Sequence, residues 1–248
     1  GRVLPVRRSF VVILSSWLLL FAAASRSAAD GGDQVVLLHG LGRSHWSMMP
    51  LEARLEDAGF QVTNLGYPST ELDPDGLVAY VESAVAACCS GAARLHFVTH
   101  SLGGILVRGF LAKHRPANLG RVVMLAPPNR GSELVDELAE WPLFSWILGP
   151  TAAQLGTNTD SFPNRLPPVD FDLGVIAGTE SLNPIGSAIL PEGNDGTVSV
   201  ASTRVEGMRD FVAVPASHTF IMWSEYAADQ VVKYLRDGRF DNENGQEK

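Results

Sequence analysis

Apolar positions follow two rhythms along this chain, and the two alternate. Gln34–Leu38 (QVVLL) is a short continuous apolar run, as a strand covered on both faces should be, and Arg94–Thr99 (RLHFVT) and Arg121–Ala126 (RVVMLA) are further strand segments. Gln61–Leu65, Asp172–Ala177 and Asp210–Val214 are three more segments of strand length. Between them the period lengthens to that of a helix. Ser44 is placed to cap a helix running to about Asp57, which Gly59 would end. Leu77, Val81, Ala84, Val85 and Cys88 share one face of a second helix. Residues 102–114 form a third, stopped by Pro116. A last helix follows residue 218, with Trp223, Ala227, Val231, Tyr234 and Leu235 on its inner stripe. This alternation predicts an α/β fold, a mainly parallel six-stranded sheet with helices on both faces. Such sheets bind ligands at the carboxyl ends of their strands, so the loops there are where chemistry is expected.

The first thirty residues follow neither rhythm. Arg2, Arg7 and Arg8 precede fifteen residues, Phe10–Ala24, apolar but for two serines, and then SRSAAD. Basic, apolar and small residues in that order make a secretory signal. The run is short for a membrane span, which needs about 20 residues. Residues 1–29 are therefore expected to be an export signal, cut after Ala24 or Ala29, that sends the protein to the periplasm or outside the cell. The alternative is an uncleaved anchor that holds the chain at a membrane through residues 10–24. Arg7-Arg8 also loosely matches a twin-arginine signal. Residues 30–248 are the expected folded domain.

Composition narrows the function. Of 248 residues, 46% are apolar and 19% charged, enough for a full core and too apolar for disorder. The net charge is −8. Setting residues 1–29 aside leaves 15 basic residues against 27 acidic ones. That balance excludes a nucleic-acid binder, which needs a basic face for phosphates. Cys88 and Cys89 are adjacent, so they cannot staple distant segments or build a four-cysteine zinc site. Cys88 is expected to be a small core residue.

Three loops then draw attention. After the third strand the chain reads Thr99-His100-Ser101-Leu102-Gly103-Gly104 and enters a helix. This is the arrangement of a nucleophile elbow, a sharp turn that lifts a serine above the sheet. Small residues are wanted two before and two after the serine; Gly103 satisfies the second, and Thr99 stands at the first. A serine here is also a common helix cap. After the first strand comes His39-Gly40-Leu41-Gly42, a turn that can aim backbone N–H groups of Leu41 and Leu102 at an oxyanion. After the last strand comes Pro215-Ala216-Ser217-His218, which puts His218 where a general base is needed. The other histidines fit that role less well. His96 lies inside a strand, and His100, next to the serine, should point away from it. His114 ends a helix, and His39 and His45 flank the glycine turn.

The third member should follow the fifth strand. Asp195, in Glu192-Gly193-Asn194-Asp195-Gly196-Thr197-Val198, competes with Glu180. Asp195 is preferred because its turn leads into Val198 and Val200, which can pin it beside the sheet. Ser101, Asp195 and His218 occur in the chain order of α/β-hydrolases, not that of chymotrypsin or subtilisin folds.

At these residues the chain resembles the α/β-hydrolase superfamily, in particular small bacterial esterase/lipase-like proteins. The matching segments are VVLLHGLGRS (35–44), FVTHSLGG (97–104), MLAPPNRGSE (124–133), GNDGTVSV (193–200) and SHTFIM (217–222). The resemblance implies a compact core without the first two strands of larger members. It implies Ser101 as nucleophile, His218 as base, Asp195 as orienting acid, and Leu41 and Leu102 as oxyanion donors. The departures are Thr99 in the elbow and the long stretch between the fifth strand and Asp195.

The expected reaction is hydrolysis of a small-molecule or lipid carboxylic ester through an acyl-enzyme, with no metal or organic cofactor. The competing readings are an acyltransferase or thioesterase with the same three residues, and a non-catalytic binding protein on this fold. Residues 133–160 are a candidate helical cap between strands four and five. They hold an apolar cluster of Trp141, Leu143, Phe144, Trp146, Ile147 and Leu148, which could pack on the core or form an acyl-binding wall. Trp46, Met48 and Met49 are candidates to extend that wall.

Overall fold

The structure, a computed structural model, describes residues 32–139 and 147–241. The expected export signal and four of the candidate wall residues, Trp141, Leu143, Phe144 and Trp146, lie outside the described residues.

Six strands form one sheet: β1 (Asp33–Leu38), β2 (Gln61–Leu65), β3 (Arg94–His100), β4 (Leu119–Leu125), β5 (Leu173–Gly178) and β6 (Asp210–Val214). Their order is β2-β1-β3-β4-β5-β6, and every neighbouring pair is parallel. The order reverses at β1 and β3, whose carboxyl ends therefore open a crevice. All six expected strands are present, with ends moved by one or two residues.

Side chains alternate along each strand and so feed two cores. Val36, Leu38, Phe97, Val122 and Met124 pack on one side with helices α2 (Pro74–Cys88) and α3 (Leu102–Lys113). Val35, Leu37, Val98, Val123, Leu125 and Ile176 pack on the other side. There they meet α1 (Met49–Asp57) and the C-terminal helix Glu225–Asp237. A shorter helix, α4 (Glu133–Leu138), follows β4. Among the described residues no helix is long and apolar enough to cross a membrane.

Four local expectations are corrected. Ser44 makes no side-chain cap; a 3₁₀ turn, His45–Met48, precedes α1. Cys88 is exposed and Cys89 is buried instead, because the last turn of α2 rotates Cys89, not Cys88, onto the core. The two are joined in a disulfide between neighbours. Trp223 lies in a separate 3₁₀ turn before the C-terminal helix and is 57% exposed; Ala227, Val231, Tyr234 and Leu235 do face inward. Met48 is buried in the core below α1 rather than in any wall.

Candidate active site

β3 ends at His100 and α3 begins at Leu102, so Ser101 alone turns the chain. It does so with φ 53° and ψ −121°, a conformation that costs a residue other than glycine on the order of 1–3 kcal/mol. The turn is held by Ser101 N–H donating to Leu125 O at 2.9 Å and Gly104 N–H donating to Ser101 O at 3.0 Å. A Cβ on Gly103 would stand 2.7 Å from Leu38 O and 2.9 Å from His39 O, both backbone atoms. Glycine is therefore required two residues after the serine. Thr99 is tolerated two before it because its side chain abuts Gly104, where a Cβ would come within 3.2 Å of Thr99 Oγ1.

The loop after β6 brings His218 to this serine. Ser101 Oγ is 3.0 Å from His218 Nε2, and His218 Nδ1 is 2.7 Å from Asp195 Oδ2. A carboxylate only accepts, so Nδ1 carries the proton and Nε2 is free to accept from the serine hydroxyl. Asp195 is held in turn: its Oδ1 accepts from Thr197 N–H at 3.0 Å and Val198 N–H at 2.8 Å. Of the two valines expected to pin this turn, Val198 is buried and Val200 half-buried. The Asp195 side chain is fully buried and that of His218 is 11% exposed. Glu180, the rival acid, is exposed. Gly178 makes room for this approach, since a Cβ there would meet Ala216 O at 2.4 Å and Asp195 Cβ at 2.9 Å.

The glycine turn after β1 packs on the elbow. A Cβ on Gly40 would lie 2.8 Å from His100 Nδ1 and 3.2 Å from Ser101 Cβ. Behind the turn, His39 stacks on Tyr67 with ring centroids 4.1 Å apart, and the Tyr67 hydroxyl donates to His39 O. Among the described residues, the N–H groups of Leu41 and Leu102 donate no hydrogen bond within the fold.

A cavity of about 250 Å³ opens beside Ser101 and His218. Leu41, Pro128, Leu134, Val135, Leu138, Leu148, Leu155 and Val198 form most of its wall. Five of these come from residues 133–160, so the described part of that segment lines the cavity. Trp46 and Met49 are not among the described residues that line it; Trp46 is 65% exposed. The 3₁₀ turn that carries Trp46 is tied outward, to Trp223 through Ser47 O at 3.1 Å.

Two ionisable lining residues were not anticipated as part of the site. His100 was expected to point away from the serine. Instead its Nε2–H donates to His218 O at 3.0 Å and its ring lies 4.8 Å from the His218 ring. Strand alternation misled because Ser101 leaves the strand path at the elbow. Burial first, then the charges of His218 and Arg43, hold the His100 imidazole well below its ordinary pKa. The second is Arg43, directly after the glycine turn; its place two residues beyond Leu41 was the available signal. Away from the wall, Glu133 Oε1 accepts from Ser199 Oγ at 2.9 Å and Ser202 Oγ at 3.1 Å, tying α4 to the segment after Asp195.

Residues 35–240 match the Alpha/beta hydrolase family. The chain belongs to that family. A probable esterase of rice, PIR7A (Oryza sativa subsp. indica), is 29% identical over 209 residues, covering 68% of this chain and 76% of that protein. The fold is shared with the mature Bacillus licheniformis lipase BlEst2, with a TM-score of 0.64 at 21% identity, over 79% of this chain and 87% of that one. It is also shared with the phospholipase PlaB from Legionella pneumophila, with a TM-score of 0.65 at 18% identity. That match covers 84% of this chain and 60% of PlaB. In this hydrolase family fold the elbow, the glycine turn and the last two loops meet at one edge of the sheet, where Ser101, His218 and Asp195 come together.

Proposed function

We propose that the chain is a serine hydrolase of carboxylic esters. The observation that carries this is the hydrogen-bonded chain from Ser101 Oγ through His218 to Asp195, at 3.0 and 2.7 Å, beside an apolar cavity. Ser101 Oγ attacks the ester carbonyl while His218 Nε2 takes its proton. His218 then returns that proton to the leaving alcohol, and an acyl-serine remains. Asp195 fixes the imidazole tautomer and stabilises the imidazolium. The N–H groups of Leu41 and Leu102 stabilise the tetrahedral oxyanion, a donor pair in which one member is worth on the order of 10²–10³ in rate. Water, activated by the same histidine, releases the acid. No metal or organic cofactor enters these steps.

The rice relative, described as a probable esterase, supports the choice of ester. The apolar wall from residues 133–160 would receive the hydrocarbon part of the substrate, with that segment acting as the cap of the 30–248 domain. Residues 1–29 would direct export. The test is labelling with a fluorophosphonate probe, followed by a panel of p-nitrophenyl esters of increasing chain length. Labelling lost in Ser101→Ala, with ester turnover lost in parallel, supports the reading. A protein that neither labels nor cleaves any ester of the panel overturns it.

A further inference from the structure

A single permanent charge stands in the described wall of the cavity beside Ser101. Among the described residues that line it, Arg43 alone carries a permanent charge. Arg43 is half-buried, and its backbone N–H closes the glycine turn onto Gly40 O at 3.3 Å. Its guanidinium makes no hydrogen bond or ion pair with any described residue. Several other arginines are paired. Arg54, Arg94, Arg115, Arg121 and Arg209 each pair with an aspartate. Arg108, buried away from acids, donates to the side-chain and backbone oxygens of Asn129.

Leaving a guanidinium partly desolvated and unpaired costs free energy. Burial lowers its pKa. Its charge disfavours protonation of His100 in the cavity wall and of His39 behind the glycine turn. No described carboxylate lines the cavity to answer it. Asp195 is spent on His218, Thr197 and Val198, and Glu133 is turned to Ser199 and Ser202. Five N–H donors in a rigid fork suited to carboxylate or phosphate thus stand at an apolar cavity with no acceptor among the described residues.

We propose that the substrate is an amphiphilic ester bearing an anionic oxygen group, carboxylate or phosphate, which pairs with Arg43 while the apolar wall takes the hydrocarbon part. This deepens the ester-hydrolase reading and rests on it. The small cavity, about 250 Å³, puts the anionic group within a few bonds of the scissile carbonyl.

Three matched pairs test it. Mono-p-nitrophenyl succinate against p-nitrophenyl butyrate places the anion on the acyl side. Butyryloxybenzoate against its methyl ester places a carboxylate on the alcohol side. The butyryl ester of glycerol phosphate against that of glycerol places a phosphate there. The wild-type protein should prefer the anionic member of at least one pair. In Arg43→Gln the anionic-to-neutral ratio of kcat/KM for that pair should fall about tenfold or more, the loss of one charge-assisted pair. The change should appear mainly in KM, and Arg43→Lys should recover part of it. A ratio unmoved in all three pairs, with Ser101 still labelled by fluorophosphonate and neutral esters still cleaved, overturns the role of Arg43 alone. Absence of labelling and of all turnover overturns the hydrolase reading and this proposal with it.

Discussion

Asp195 holds His218 at two points. Its Oδ2 accepts from the imidazole at 2.7 Å, and its backbone carbonyl accepts from His218 N–H at 3.0 Å. The side chain and the main chain of one residue thus fix both the position and the tautomer of the histidine.

Replacing Asp195 by Asn keeps the backbone contact and removes the carboxylate. Ester turnover should fall by about 10³–10⁴, since a triad whose acid becomes an amide holds the wrong tautomer. Glu180→Gln should stay within about threefold of wild type, because Glu180 is exposed and surface substitutions change little. Steady-state kinetics of both variants decide the matter; the reverse ranking would move the acid to Glu180.

Gly40→Ala places a methyl group 2.8 Å from His100 Nδ1 and 3.2 Å from Ser101 Cβ. The glycine turn must retreat, carrying the Leu41 N–H with it. Turnover should drop by about 10²-fold or more, the worth of one oxyanion donor. A full loss of thermal stability without a folded, inactive protein would contradict this, and circular dichroism with kcat measurement separates the two.

Three histidines are held below their ordinary pKa, chiefly by burial: His39, His96 and His100. In the unfolded chain each titrates near 6.5. Below that pH the unfolded state binds more protons than the folded one, so stability falls as pH drops. Each group contributes a slope of up to about 1.4 kcal/mol per pH unit. The melting temperature should therefore decline steadily from pH 7.5 to 5. A flat profile over that range would refute the assignment of neutral, buried imidazoles.

The Cys88–Cys89 disulfide closes a loop of only two residues, and stabilisation by loop closure grows with loop length. Reduction by a mild thiol should leave ester turnover unchanged and shift the melting temperature by no more than about 2 °C. A shift near 10 °C would show that the bond does more than join neighbours. Cys89→Ser should cost more than reduction does, because Cys89 packs in the core.

If residues 1–29 are an export signal, the exported protein should begin near Ser25 or Asp30. N-terminal sequencing or intact mass of the secreted protein reads this directly. A protein that keeps Phe10–Ala24 and fractionates with membranes would favour the anchor.

Much of this protein was legible in one dimension. The all-parallel sheet followed from short apolar runs alternating with helical stripes, because a strand buried on both faces has no polar side to show. The elbow, the glycine turn and the two late loops were legible for a related reason. Tight turns and close backbone contacts admit few residue types, so Gly103, Gly40 and Ser101 mark their own positions. Asp195 could be chosen over Glu180 because Val198 was available to pin its turn.

Other features depended on packing between segments remote in the chain. His100 follows the strand rule until the elbow diverts Ser101, and only then does its ring meet His218, 118 residues away. Whether Cys88 or Cys89 enters the core turns on how the last turn of α2 sits against β3 and α3, which a helical period alone leaves open by one residue. Trp223 reads as core by helical spacing and Trp46 as a wall candidate, yet the three-dimensional path leaves both exposed on 3₁₀ turns. Arg43 is the sharpest case. A sequence shows that an arginine is present, but only the tertiary structure decides that no acid among the described residues pairs with it, because pairing depends on distance in space and not on spacing along the chain.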